Sequence, residues 1–273
     1  MKFRVSIFLL LVFFCSACSK SSLTSNPVSS AARSYNGTAS VGDFLSITLD
    51  PSSSTLSYKN ISNGDSGTVP YTINSDGTYT LNDPAGNLIA AYEVPNYALL
   101  VQAAKSGPGH DAPALITAVQ KGNISLSTWA GKDFNYMQFR TAAGGLETGS
   151  ATMDAQGGVT ISSYWPHGAQ GQLANPFNQG GFDASLFQPD SSGSFMRLAD
   201  NNSTCDYIFG TPNGIFAVDT PNGAILGLKK ATSKNFDPAA AGTYKAIFYG
   251  KNDATTGQGN VETETPAWGK QHL

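Results

Sequence analysis

Three histidines, His110, His167 and His272, are scattered through the chain with no two close in sequence. Zinc sites draw on closely spaced His and Cys ligands, so this spacing argues against a metal centre, and none is assigned. His110 is followed by Asp111, a pairing that elsewhere serves as a base and its orienting acid. Adjacent residues on a strand point to opposite faces, however. The surrounding Gly107-Pro108-Gly109-His110-Asp111-Ala112-Pro113 has the composition of a solvated loop. Asn252-Asp253 and Asp200-Asn201-Asn202 offer oxygens to calcium but lack a patterned acidic loop. Glycoside hydrolysis needs two acids facing across a cleft. Neither Glu93, Glu147, Glu262 and Glu264 nor the aspartates show a spacing that selects a pair. No catalytic residue and no cofactor is assigned.

Recognition chemistry is most concentrated in Tyr164-Trp165-Pro166-His167-Gly168 and the Gly-, Gln- and Asn-rich stretch that follows, with Phe177 and Asn178. Aromatic faces stack on the apolar side of a sugar ring while amides bond its hydroxyls. Tyr164, Trp165, His167, Phe177 and Asn178 are therefore the candidate ligand-binding residues. The competing expectation is that Trp165 fills a core. Trp129 and Trp268 read as packing residues.

Gly64-Asp65-Ser66-Gly67 resembles the nucleophile loop of chymotrypsin-like serine proteases, which are also all-β. That resemblance would make Ser66 the nucleophile. In that family the His and Asp precede the nucleophile, whereas every histidine here follows Ser66. A Gly/Asp/Ser cluster is also ordinary hairpin chemistry.

The first residues carry an address. Lys2 and Arg4 give a positive start, Val5 to Phe14 is apolar apart from Ser6, and small Ser16 and Ala17 follow. This is the plan of a signal peptide, with an apolar run too short to span a bilayer. Cys15-Ser16-Ala17-Cys18 resembles the lipobox of bacterial lipoproteins, with Cys15 standing where Leu is usual. The resemblance covers about the first twenty residues. It implies cleavage before Cys18 and acylation of its sulfur. Several acyl chains on one residue give near-permanent attachment to a bilayer. Ser19 occupies the place where an inner-membrane retention signal would have Asp, so the outer membrane is the expected address. Once Cys18 is acylated and Cys15 removed, Cys205 has no partner for a disulfide within the chain. It reads as a small buried hydrophobe.

Without Lys2 and Arg4 the chain carries 14 basic and 19 acidic side chains and no basic run longer than Lys229-Lys230. Phosphate backbones need clustered Lys and Arg, so nucleic acid is excluded as the expected partner. Charged residues make up only 13% of the sequence, far below what long solvated helices carry. From Tyr35 onward, short apolar or alternating runs are separated by turn chemistry. Asn74-Ser75-Asp76-Gly77 joins Tyr71 and Ile73 to Tyr79 and Leu81, Pro95-Asn96 separates two apolar runs, and Thr211-Pro212-Asn213-Gly214 and Pro221-Asn222-Gly223 repeat the device. The helix signal is confined to one short turn at Phe236 to Gly242.

The expected fold is all-β, an antiparallel meander forming two tandem barrel- or sandwich-like units with very little helix. Two segments recur in order. Ser46-Ile47-Thr48-Leu49-Asp50 matches Ser150-Ala151-Thr152-Met153-Asp154, and Val94 to Val101 matches Thr211 to Val218. The expected division is a leader at 1–17, a lipidated Cys with a Ser-rich tether at 18–34, and units at 35–130 and 131–232. A closing or truncated β segment follows at 233–273. The expected role is a membrane-anchored extracytoplasmic lipoprotein with a non-enzymatic binding or structural function. Its expected partners are the bilayer, through Cys18, and a cell-surface glycan or protein. Two alternatives stand beside it: a small-ligand carrier with a barrel pocket, and an extracytoplasmic hydrolase. A carrier predicts an unfilled lumen, and an enzyme predicts a His or acid pair converging in a cleft.

Overall fold

The computed structural model describes residues 30–104, 113–140, 146–166, 187–198, 206–212 and 214–230. Eight strands come first: β1 Arg33–Ala39, β2 Phe44–Asp50, β3 Thr55–Asn60, β4 Ser66–Ile73, β5 Thr78–Leu81, β6 Leu88–Val94, β7 Ala98–Ala103 and β8 Ala114–Gln120. Each pairs antiparallel with the next, and β1 pairs with β8 through Tyr35↔Gln120 to Ala39↔Ile116, so the meander closes into a barrel. The turns follow the sequence signals. Gly77 (φ 83) and Asn96 (φ 67) take the left-handed positions that tight hairpins require.

Alternation along the strands decides the interior. Tyr35, Leu45, Ile47, Leu49, Leu56, Val69, Tyr71, Tyr79, Leu99, Val101 and Ile116 form one buried cluster inside the barrel. The outward positions of β3 and β4 carry Ser57 and Thr68, whose hydroxyls hydrogen-bond across the strands at 2.9 Å. A membrane-spanning barrel has the reverse arrangement, apolar outside and polar within. The interior is closely filled at β1: a Cβ on Gly37 would lie 2.9 Å from Ala118 Cβ and 3.2 Å from Ile116 Cγ2. Eight strands enclose room for side chains to fill or for one small ligand, and here the inward positions carry the large side chains of the buried cluster.

A single 3-10 turn, Leu126–Thr128, leads into the second set of strands. These are β9 Lys132–Arg140, β10 Leu146–Met153, β11 Val159–Pro166, β12 Phe187–Pro189, β13 Met196–Leu198, β14 Tyr207–Thr211, β15 Ile215–Thr220 and β16 Gly223–Lys229. They form an antiparallel sheet in the order β11-β10-β9-β16-β15-β14-β13-β12. Here too the first strand pairs with the last, β9 with β16. The two recurring segments fall on β2 and β10, and on β6–β7 and β14–β15, eight strands apart in each case. The fold is all-β, as composition and turn spacing predict.

The barrel and the sheet pack against each other through residues that point outward from β1 and β2. Phe44 stacks on Tyr207 at 4.3 Å and tilts against Phe209 at 5.3 Å. Phe44 and Val119 from the barrel join Trp129, Phe134, Met153, Phe209 and Phe216 in a second buried cluster. Gly42 (φ 98) lets the β1–β2 turn lie directly on the β15–β16 turn, where a Cβ would sit 2.5 Å from Thr220 O. Two polar links cross the same junction: Asn36 Nδ2 donates to Ser194 O at 2.8 Å, and Thr38 Oγ1 donates to Asp219 Oδ1 at 2.5 Å.

Asp219 is almost wholly buried at this junction. Burial, and then the nearby Asp43 and Asp206, push its carboxyl well above the usual carboxylate range, against the opposing pull of the Thr38 hydrogen bond. The folded protein therefore favours the neutral acid. Stability falls as pH rises from the ordinary aspartate value near 3.9 toward the folded value, and levels off above it. Asp219→Asn keeps an acceptor for Thr38 and removes the ionisation. It is expected to be more stable than the unsubstituted protein at neutral pH and to lose that advantage below about pH 4. Urea midpoints across pH check this, and a constant offset at all pH values would contradict it.

Candidate functional site

Inside the barrel, at the end where β1 begins, polar side chains meet in an otherwise apolar space. Arg33 opens β1, Tyr35 follows it on the same face, Tyr79 comes from β5 and Glu93 from β6. The Arg33 side chain is 8% exposed and that of Glu93 only 2%. The guanidinium grips the carboxylate with two bonds, Nε to Oε1 at 2.5 Å and Nη2 to Oε2 at 2.7 Å. Tyr35 donates its hydroxyl to Oε1 at 2.5 Å and Tyr79 donates to Oε2 at 2.8 Å. Arg33 Nη1 turns back to Ala31 O at 3.2 Å. Tyr71 packs edge-on against Tyr79 at 5.0 Å. Each carboxylate oxygen thus accepts from the guanidinium and from a tyrosine, an arrangement of bidentate, charge-assisted bonds.

The electrostatics fix the charge states. Burial alone would raise the Glu93 carboxyl, but hydrogen bonds from Arg33, Tyr35 and Tyr79 and the guanidinium charge hold it below the usual range. The bond to Glu93 raises Arg33, against the opposing cost of burial. Burial and the bond to Glu93 together push Tyr35 and Tyr79 well above ordinary tyrosine. No member of the cluster changes charge near neutral pH. It does not supply a general acid or base there, and the donors of Arg33, Tyr35 and Tyr79 are committed to the Glu93 carboxylate and to Ala31 O.

The residues expected from sequence distribute differently. Tyr164 and Trp165 lie on β11, an edge strand, paired with Gly149 and Thr148 of β10. His167, Phe177, Asn178 and the lipobox Cys18 lie outside the described residues, as do His110, His272, Cys205, Trp268 and the helical turn expected at Phe236 to Gly242. Ser66 begins β4 on the exposed side, next to Gly67, over which the Tyr58 ring lies. Among the described residues no three His, Cys, Asp or Glu side chains are placed to share a metal ion. None of the described helices is long and apolar enough to cross a membrane. Trp129 is a packing residue, fully buried.

Sequence reasoning missed the Arg33–Glu93 cluster. Arg33 falls within the segment read as tether, yet β1 starts there because Glu93 gives its charge a buried partner. A signal was present: Arg33-Ser34-Tyr35 and Tyr92-Glu93-Val94 each place one charge in a strand of alternating or apolar character, with opposite signs. Only the register reveals that both charges face inward.

No protein-family model matches the chain, and no curated protein matches it. Among solved structures, the chain is similar to a protein of unknown function from the DUF3598 family of Nostoc punctiforme, at 10% identity and a TM-score of 0.23. The match covers 72% of this chain and 92% of that one.

Proposed function

We propose that the protein is a lipid-anchored extracytoplasmic module with a non-enzymatic binding or structural role, held to a bilayer by acylated Cys18. The observation that carries the non-carrier, non-enzymatic part is the Arg33–Glu93–Tyr35–Tyr79 cluster. A carrier's barrel keeps a few polar groups uncommitted to orient its ligand. Here the carboxylate sits inside the barrel as part of the protein itself, and four donors from three side chains are satisfied by it. The anchor rests on the leader and on Cys15-Ser16-Ala17-Cys18. The partner surface is assigned to the aromatic and amide-rich stretch around Tyr164, Trp165, His167, Phe177 and Asn178, with a surface glycan as the ligand class. The outer membrane is the proposed address.

Intact and fragment mass measurement of the chain extracted from bacterial envelopes tests the anchor. The expected product begins at Cys18 and carries the added mass of acyl chains, and Cys18→Ser releases it from the membrane fraction. A product of unmodified mass, or one beginning elsewhere, would contradict the anchor.

A further inference from the structure

We propose that the barrel rim formed by Ile73, Val94 and Tyr97 rests on a zwitterionic lipid surface. These three side chains are 54%, 39% and 46% exposed, unusual for large apolar residues in a barrel whose other outward positions include Ser57 and Thr68. Ile73 ends β4 and Val94 ends β6, while Tyr97 sits in the turn before β7. All three stand at the same end of the barrel as the first residue of β1. Tyr97 O accepts from Gln120 N at 2.9 Å, and the next residue, Lys121, donates its N–H to Ser34 O at 2.8 Å. The chain therefore enters the barrel at the end that carries the apolar rim.

The length of chain outside the described residues supplies the partner. Cys18 and Ser30 are twelve residues apart, and a chain of that length reaches at most about 40 Å. A bilayer anchor at Cys18 keeps this end of the barrel within that reach of the lipid, and the opposite end lies one strand length farther along the chain. The turns at that opposite end, Ser40 to Asp43, Ile61 to Asp65 and Asn82 to Asn87, carry none of the exposed large apolar side chains found among the described residues. Short apolar side chains with a tyrosine suit the headgroup–acyl boundary, where one end of the ring stays wet. Asp50 ends β2 and Asp76 lies in the β4–β5 turn, both at this end, where they outnumber Lys121. Their charge disfavours an anionic surface, so a zwitterionic one is inferred. Three side chains bury too little to hold a free protein; they orient one that is already anchored.

The inference rests on the anchor reading for its geometry, and its test separates the two. The chain from Cys18 onward, with Cys205→Ser, is coupled through the Cys18 thiol to maleimide-bearing phosphatidylcholine vesicles. Attachment then no longer depends on what a cell does to Cys18. An environment-sensitive fluorescent amino acid is placed at position 75, beside the rim, or at position 85 on the opposite end. The expected result is a blue shift and quenching by brominated lipid at position 75 and neither at 85. Substituting Ile73→Ser, Val94→Ser and Tyr97→Ser together should remove the signal, and phosphatidylglycerol should weaken it. Equal signals at both positions would overturn the inference. So would a blue shift at position 75 without vesicles that grows with protein concentration, because that would place a second copy on the rim. Absence of acylation in cells, read by mass, would overturn the anchor reading alone.

Discussion

Glu93→Ala destabilises the protein by about 3–5 kcal/mol, the cost of removing one partner from a buried ion pair and leaving the other charge uncompensated. Arg33→Ala falls in the same range for the same reason, since the Glu93 side chain is only 2% exposed. The informative variant is the double replacement. With both charges gone no unpaired ion remains in the barrel, so Arg33→Ala with Glu93→Ala costs clearly less than the sum of the single effects. It does not return to the starting stability, because the hydroxyls of Tyr35 and Tyr79 lose their acceptor and each unsatisfied buried group costs about 1–3 kcal/mol. Urea unfolding of the four proteins measures the coupling. Strict additivity would mean that the pair is not a unit.

The same cluster sets an acid limit. Folding depresses the Glu93 carboxyl. Its contribution is therefore complete above the ordinary glutamate value of about 4.3 and is lost as pH falls through the lower folded value. Asp219 acts in the opposite sense, since its carboxyl is raised. In an Asp219→Asn background the acid limb reports Glu93 without that opposing contribution, and Glu93→Ala should make it shallower, leaving what Asp50 and Asp190 contribute.

Trp129→Ala is expected to cost about 3–5 kcal/mol, as truncation of a fully buried large aromatic does. Trp129 is 0% exposed and belongs to the cluster that Phe44 and Val119 of the barrel share with the second sheet. Its ring lies over Gly210, where a Cβ would come within 3.0 Å of Cζ2. The loss is thus felt on both sides of the junction. The indole Nε1 is buried and meets no acceptor among the described residues. Trp129→Phe removes that unsatisfied donor along with part of the ring volume, so its cost should be much smaller than that of Trp129→Ala. Thermal unfolding with a barrel probe and a sheet probe checks both variants. If Trp129→Ala loosened the sheet and left the barrel transition untouched, the shared junction would be contradicted.

The strand plan was largely legible because turn chemistry is local. Asp76-Gly77 and Pro95-Asn96 announce hairpins through the backbone conformations their residues tolerate, and Gly77 and Asn96 occupy those conformations. The all-β class follows from many such signals at short spacing. What decides the interior is not local. Glu93 is one glutamate among four until the register sets it beside Leu99 on the inward face. Phe44 and Thr38 sit at outward positions of the barrel and Asp219 on β15 of the second sheet, and they are buried because the barrel and that sheet cover one another. Alternation within a strand carries no information about what packs on its far side. The stretch around Trp165 is a candidate for glycan contact on side-chain chemistry alone, and of it β11 carries Tyr164 and Trp165.

In the proposed role the barrel is filled by its own side chains and holds no cargo. Native mass spectrometry of the Cys18→Ser chain, purified from cells without detergent, measures this directly. The expected mass is that of the polypeptide alone, with no stoichiometric uptake when fatty acids or other small apolar acids are added. A bound apolar molecule released only on unfolding, and lost in the Arg33→Ala variant, would contradict it and make the protein a carrier whose Glu93 yields to a ligand carboxylate.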